Sequence, residues 1–342
     1  MQTGTWNILI IGDLFVTCEM FRAAIARELD RLGIRAEFRE VQTLWPDDPL
    51  HDVEEVHEAV GDVAAIAEAA RDADIIVTDY GAVTKRIIDS APNLRLIGVA
   101  RGGPVSVNVS AANARDIRVV NLPGRNSRAV AEFTVGLIFS QLKRLAECNQ
   151  AMHNGIWRGD CYRFERAPRE LSGQKAGVIG YGHVGRLVAD LLSCLDMTVL
   201  VYDPFVAPET LDPGKSHYSE LDSVLSEADV VSLHARATRE NVRMIAEPEL
   251  RKMKSSAHLI NTARGSLVDY VALHRALVEG WIAGAALDIY DVEPVTAGYP
   301  LLSVSNVTLT PHIAGSSQET ALRSADLVAT QIGDYIKENR SV

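Results

Sequence analysis

Hydrophobic and polar positions along this chain fall into two alternating periods. Short apolar runs at residues 8–11, 36–41, 74–78 and 96–99 read as strands, and helical spacing marks residues 17–32 and 63–71 between them. Residues 118–121 form a further strand, closed by Asn121-Leu-Pro-Gly124. The second half predicts strands at 176–179, 197–202, 230–233, 258–261, 284–288 and 307–310. A closing helix at 316–338 carries Ala321, Ala325, Val328, Ile332 and Ile336 on one face. Residues 126–152 read as one long helix, apolar at Val130, Phe133, Leu137, Ile138, Leu142 and Leu145, with Gln141 the polar exception. The acidic stretch 45–58, holding Pro46 and Pro49, reads as a loop or a linker to a short helix, and 155–172 as a polar loop. Strands spaced by helical segments imply an α/β chain with parallel, doubly wound sheets.

The pattern repeats faintly. Ala73-Asp-Ile-Ile-Val77 and Leu96-Ile-Gly-Val-Ala-Arg101-Gly102 echo Ala228-Asp-Val-Val-Ser232 and Leu259-Ile-Asn-Thr-Ala-Arg264-Gly265. Both halves therefore read as variants of one doubly wound unit. Such sheets bind ligands outside the carboxyl ends of their strands, so the active site is expected in a cleft between two such domains.

One stretch carries a sharper signal. The strand at 176–179 runs straight into Gly180-x-Gly182-x-x-Gly185, then a helix with Val184, Leu187, Val188, Leu191, Leu192 and Leu195 on one face. A second strand ends at Asp203, 23 residues past the first glycine. This is the dinucleotide-binding fingerprint, and each part has a mechanical task. Gly180 permits the tight turn, Gly182 lets backbone approach a pyrophosphate, and Gly185 lets the helix pack closely on the strand. The helix N-terminus favours the phosphate charge. Gly180, Tyr181, Gly182, His183, Val184 and Gly185 are thus the expected cofactor turn, with Asp203 accepting from the adenine-ribose diol. Pro204 follows Asp203 with no adjacent arginine to receive a 2′-phosphate, which predicts NAD(H) over NADP(H).

Composition narrows the classes. A chain of 342 residues suggests two domains, and 47% hydrophobic with 23% charged residues is ordinary for a globular protein. The formal charge of −11 argues against nucleic acid or an anionic membrane as partner. Cys18, Cys148, Cys161 and Cys194 lie far apart, with no CxxC and no Cys/His cluster. They read as isolated, reduced thiols of a cytoplasmic protein, with no metal site. Neither a signal peptide nor an apolar run of transmembrane length is expected.

Three polar groups stand just beyond predicted strand ends: Arg264 in Asn261-Thr-Ala-Arg-Gly, Glu293 in Asp291-Val-Glu-Pro, and His312 in Thr310-Pro-His-Ile-Ala-Gly. An arginine, a carboxylate and a histidine in such places match hydride transfer at a 2-hydroxy acid. The guanidinium clamps the substrate carboxylate. The imidazole exchanges the hydroxyl proton, and the carboxylate fixes its tautomer and favours its charged form. Glu293 alone would read as a turn before Pro294, and His312 alone as a structural histidine. The other histidines read as structural or surface residues, and Trp157 as packing beneath the cofactor domain.

On these motifs the sequence resembles the D-2-hydroxyacid dehydrogenase family, particularly its phosphoglycerate-dehydrogenase-like branch. The similarity runs from about residue 72 onward and is weakest over 13–70. It implies a Rossmann cofactor domain, residues 103–292, inserted into a flavodoxin-like substrate domain made of 1–102 and 293–342. It also implies an NAD cofactor, a small 2-keto or 2-hydroxy acid substrate and a homodimer formed through the cofactor domain, to which the 126–152 helix would contribute. Arg264, Glu293 and His312 match the family's catalytic positions. Arg101, Gly102 and Gly103 match the turn whose amides cradle the substrate carboxylate, although Pro104-Val-Ser-Val departs from the usual Val-Asp-Asn-Val and Arg101 is unusual. Arg101 could add a charge to the pocket. His234, Ala235 and Arg236 match a cofactor-lining loop that more often has proline third, Ala263 a backbone position beside the ring, and Asp288 an acid contacting the nicotinamide amide.

Two other readings are open to the same residues. A nicotinamide-sensing scaffold resembling the C-terminal-binding-protein corepressors keeps this triad on this fold, but the extensions such scaffolds carry have no counterpart here. Formate dehydrogenases have glutamine where this chain has Glu293. The chain closes after its last helix, so the regulatory domain of long phosphoglycerate dehydrogenases, and serine feedback through it, are not expected.

Overall fold

The computed structural model describes residues 5–44 and 51–339. The chain forms two units, one of residues 1–125 with 317–342, the other of residues 126–316. The division lies further along the chain than the expected 102 and 293. Residues 118–121 pair with the first unit's sheet, and 307–309 with the second's, so each boundary falls after those strands.

In the first unit, strands β1 (Trp6–Gly12), β2 (Ala36–Gln42), β5 (Ile75–Thr78), β6 (Leu96–Val99) and β7 (Arg118–Asn121) make a parallel sheet. Its order is β2-β1-β5-β6-β7, which is the flavodoxin-like arrangement. The inner strands are buried on both faces, as their unbroken apolar runs require. Helices α1 (Cys18–Arg31), α2 (Val63–Ala69), α3 (Lys85–Ser90) and α4 (Val109–Asn113) connect the strands. Helix α1 begins where Thr17 accepts from the Met20 amide at 3.3 Å, and ends before Gly33 in the left-handed region.

The 45–58 stretch is not simply a loop. Residues 45–50 lie outside the described residues, and β3 (His51–Val53) pairs antiparallel with β4 (Val56–Ala59). Val56 and Ala59 pack with Ala82, an apolar anchor too small to stand out from the surrounding acids.

The second unit adds β8 (Lys175–Ile179), β9 (Thr198–Tyr202), β10 (Ser216–Tyr218), β11 (Val230–Leu233), β12 (His258–Asn261), β13 (Gly284–Leu287) and β14 (Val307–Leu309). They form a parallel seven-stranded sheet in the order β10-β9-β8-β11-β12-β13-β14, a Rossmann arrangement extended by one strand. Its helices are α5 (Ser127–Leu142), α6 (Leu145–His153), α7 (His183–Ser193), α8 (Leu221–Glu227), α9 (Glu247–Lys252) and α10 (Tyr270–Val278). The segments of the internal repeat are β5 beside β6 in one sheet and β11 beside β12 in the other.

Three expectations need correction in this unit. The 126–152 helix is two helices, broken at Arg144, whose φ of 53° is left-handed. No glycine or proline announces that break. Trp157 does not pack beneath anything in its unit, being 79% exposed. Cys148 and Cys161 are not isolated, since α6 and the turn after it bring their sulfurs to 3.9 Å. The polar exception Gln141 has a structural reason. Its amide donates to the Asn306 carbonyl at 2.8 Å and accepts from the Thr308 hydroxyl at 2.9 Å, tying α5 to the outer strand β14.

The chain then returns to the first unit as α11 (Gln318–Glu338). Ala321, Ala325, Val328, Ile332 and Ile336 are buried with Ile8, Ile10, Phe21 and Ile25. A Cβ on Gly98 would stand 2.8 Å from the Val328 side chain, so glycine in β6 admits the helix at that distance.

Candidate active site

The glycine turn after β8 is built as its residue types require. Gly180 has φ of 96°, and a Cβ there would stand 2.4 Å from the Ala235 amide nitrogen. A Cβ on Gly185 would lie 1.9 Å from the Gly180 carbonyl oxygen, so only glycine lets α7 seat against the turn. Gly182 is different: its missing Cβ faces open space at the head of α7, where a side chain would obstruct the helix N-terminus. Asp203 closes the unit. Its carboxylate accepts from the Tyr181 amide at 2.7 Å and the Phe205 amide at 2.9 Å, and further lone pairs are available to a diol. Arg186 donates to the Tyr181 carbonyl at 3.0 Å and stacks over its ring. His183 and Val184 form the first turn of α7. These residues fit a dinucleotide: open glycine, helix N-terminus and distal acid stand in sequence along one turn.

His234 and Ala235 follow β11 and close against Gly180. The His234 ring contacts the Ser232 hydroxyl at 2.8 Å, and burial pushes its pKa down to about 3, leaving it neutral. The Arg236 side chain is exposed.

The Arg264 loop is set by Asn261, fully buried at the end of β12. Asn261 accepts from the Ala263 amide at 3.1 Å and donates to the Arg264 carbonyl at 3.0 Å. A Cβ on Gly265 would lie 1.8 Å from the Tyr290 carbonyl oxygen, so this loop presses directly on the chain leading to Glu293. Arg264 itself is exposed, with Nη1 donating to the Ala263 carbonyl at 2.6 Å.

Glu293 and His312 meet. The Glu293 Oε2 lies 2.7 Å from His312 Nδ1, while Oε1 accepts from the Tyr290 amide at 2.9 Å. Burial pushes the Glu293 carboxyl up, but the His312 hydrogen bond and charge, the Tyr290 amide and the Arg264 charge outweigh it, leaving the pKa below the ordinary value. The carboxylate therefore stays charged and holds the ring by its Nδ1 edge.

Asp288 has a structural task that sequence reasoning missed. It is 1% exposed, and its oxygens accept from the Thr310 hydroxyl at 2.7 Å, the Ile313 amide at 2.9 Å and the Ala314 amide at 2.8 Å. These bonds fix the loop on both sides of His312, whose φ of 54° is a left-handed value that costs a non-glycine residue about 1–3 kcal/mol. Tyr290 was also missed. Its hydroxyl donates to the Thr310 carbonyl at 2.8 Å, joining the Glu293 and His312 loops, and burial pushes it up to about 12. Nothing in the sequence separates this tyrosine from an ordinary core residue.

In the first unit, Gly102 and Gly103 leave β6 with their Cα faces open or nearly so, and the Gly102 carbonyl accepts from Asn121 Nδ2 at 2.7 Å. Arg101 is committed elsewhere. It donates to the Glu58 carbonyl at 3.1 Å, pairs with the Glu58 carboxylate and lies 4.3 Å over the Tyr80 ring. Among the described residues no group of His, Cys, Asp and Glu is arranged to hold a metal ion. No helix there is long and apolar enough to cross a membrane.

Residues 135–314, spanning this triad and the glycine turn, match the model of the D-isomer specific 2-hydroxyacid dehydrogenase NAD binding domain. The chain belongs to the D-isomer-specific 2-hydroxyacid dehydrogenases. It is similar to a glyoxylate reductase of Thermofilum pendens, 39% identical over 75% of this chain and 76% of that one. It is also similar to a D-3-phosphoglycerate dehydrogenase of Archaeoglobus fulgidus, 36% identical over 80% of this chain and 51% of the relative. A D-lactate dehydrogenase of Aquifex aeolicus, solved with NAD and lactic acid, has the same fold, with a TM-score of 0.73 at 26% identity over 98% of this chain and 97% of that one. As a member of the family, the protein is an NAD-dependent oxidoreductase acting on a CH–OH group. The scaffold reading is not favoured.

Proposed function

We propose that Arg264, Glu293 and His312 form the catalytic set for reducing a small 2-keto acid to its D-2-hydroxy acid, or for the reverse. The Glu293–His312 contact at 2.7 Å, with Glu293 anchored by the Tyr290 amide, carries this reading. NAD(H), when bound, supplies or accepts the hydride. Arg264 holds the substrate carboxylate with its planar fork. His312 Nε2 gives a proton to the carbonyl oxygen in reduction and takes it from the hydroxyl in oxidation, and Glu293 orients and charges the ring. Gly102 and Gly103, whose Cα faces are open or nearly so, are assigned to substrate binding. Gly180, Tyr181, Gly182, His183, Val184, Gly185 and Asp203 hold the dinucleotide, with Ala235 and Ala263 lending backbone. Residues 1–125 with 317–342 are the substrate domain.

The test is NADH oxidation against a panel of 2-keto acids, phosphorylated and unphosphorylated. Turnover of at least one, lost in His312→Ala, is expected. NADH binding without turnover on any of them would sink the reading. We also propose that a second copy covers the exposed apolar residues of α6 and the loop after it, Met152, Ile156, Trp157, Tyr162 and Phe164 among them, in a cytoplasmic homodimer. Sedimentation showing only monomer at micromolar concentration would remove that dimer.

A further inference from the structure

We propose that Cys148 and Cys161 are a modification site, a thiol pair that hydroperoxides convert reversibly to a disulfide. Their sulfurs are 3.9 Å apart, across 13 positions of sequence, and both residues are half-buried. A disulfide requires about 2.05 Å, so the sulfurs must close by roughly 2 Å.

The pair is held in register by charges on its flanks. Arg158 donates to Glu147 Oε1 at 2.6 Å, and by two nitrogens to Asp160 at 2.8 and 2.9 Å. Glu147 precedes Cys148 on α6, and Asp160 precedes Cys161 on the short turn Gly159–Tyr162. One guanidinium thus clamps the residue before each thiol. Arg144 and Arg166 extend the network at 3.2 and 3.1 Å. The Cys161 amide donates to the Arg158 carbonyl at 3.1 Å, which fixes the backbone of the turn as well. Neither cysteine belongs to the catalytic set.

The chemistry balances with the peroxide alone. The Cys161 thiolate attacks one peroxide oxygen, the O–O bond breaks, and hydroxide leaves and is protonated to water. Sulfur is oxidised to a sulfenic acid as the peroxide is reduced. The Cys148 sulfur then attacks that sulfur, the S–S bond forms, the S–O bond breaks, and the thiol proton leaves with the hydroxyl as a second water. Burial, and next the neighbouring thiol, push Cys148 up, which disfavours its thiolate as the first to meet the peroxide. The product ties the loop bearing Trp157, Tyr162 and Phe164 to α6.

The experiment treats the full chain, in its solution assembly, with hydrogen peroxide. The remaining thiols are then alkylated and the peptides mapped by mass. A peptide linking Cys148 to Cys161, lighter by two hydrogens and released by dithiothreitol, is expected. Exposed Cys194 serves as the internal control for peroxide dose. Full alkylation of Cys148 and Cys161 at a dose that oxidises Cys194 would overturn the proposal, as would linkage of either thiol to another cysteine. Arg158→Ala should slow the link several-fold, and an equal rate would overturn the positioning argument.

Discussion

Arg101 and Arg264 occupy matching places in the internal repeat, each just past the carboxyl end of a buried parallel strand. Their surroundings are opposite. The Arg101 side chain is 13% exposed, paired to Glu58 and stacked on Tyr80. Arg264 is exposed, and among the described residues its side chain donates to the neighbouring Ala263 carbonyl and lends charge to Glu293. The wider edges follow suit. In the first unit Asp79 and Arg125 face each other at 3.1 Å, almost wholly buried. In the second, Glu293 and His312 pair with about a third and a half of their side chains exposed. One topology thus serves two ends. In the first sheet charges are matched against each other in the interior, while the second keeps its carboxylate–imidazole pair half-exposed and its guanidinium exposed.

The largest expected effect is at His312. His312→Ala should depress both reaction directions by about 10²–10⁴ with NADH binding retained, measured by steady-state rates and NADH fluorescence. An unaffected rate would place proton transfer elsewhere.

Next comes the arginine contrast. Arg264→Lys keeps charge but loses the planar fork, and should lower kcat/KM about tenfold to a hundredfold, the worth of a charged hydrogen bond. Arg101→Lys should cost less, because its guanidinium already serves Glu58. A larger loss at Arg101 would reverse the comparison. If Arg264→Lys instead abolished NADH affinity, Arg264 would be a cofactor residue.

Glu293→Gln should act through pH. Held below its ordinary value, the Glu293 carboxyl is ionised across the neutral range and favours imidazolium. Removing its charge should move the reductive limb to lower pH, with the oxidative limb following. Overlaid pH–rate profiles check this, and coincident curves would leave Glu293 a turn residue.

The smallest effect separates the two edges by sign. Burial raises Asp79 from 3.8 to about 7, partly countered by Arg125. A raised folded value means that the folded state binds the proton more tightly. This contribution to stability is complete below about pH 4 and declines as pH rises toward 7. Asp79→Asn should flatten that decline in denaturant titrations at stepped pH. Glu293, with a lowered value, stabilises above the ordinary carboxylate pKa and loses its contribution as pH falls through the folded one. Matching slopes for Asp79→Asn and wild type would end the contrast.

Much of this was legible in the chain itself. The span of α1 between Thr17 and Gly33, the strands at 96–99, 118–121, 230–233 and 258–261, and the glycine turn all follow from local period and cap chemistry. The break at Arg144 was not, because a left-handed arginine leaves no compositional mark. Nor was the β3–β4 hairpin, whose buried anchor is only Val56 and Ala59 against Ala82. At the site, Arg264, Glu293 and His312 stood out by residue type at strand ends. Asn261, Tyr290 and the structural task of Asp288 did not, since each acts through backbone groups distant in sequence.

The sequence by itself determined the two doubly wound units, the glycine turn and the residue types available for chemistry, because these depend on short-range period and spacing. Tertiary structure decided which of those groups are committed to each other. It set Arg101 against Glu58, 43 positions away, and His312 against Glu293, 19 away, and it brought Cys148 to Cys161. The physical reason is that a charge or thiol is defined by what lies within a few ångströms of it, and chain folding rather than chain order supplies those neighbours.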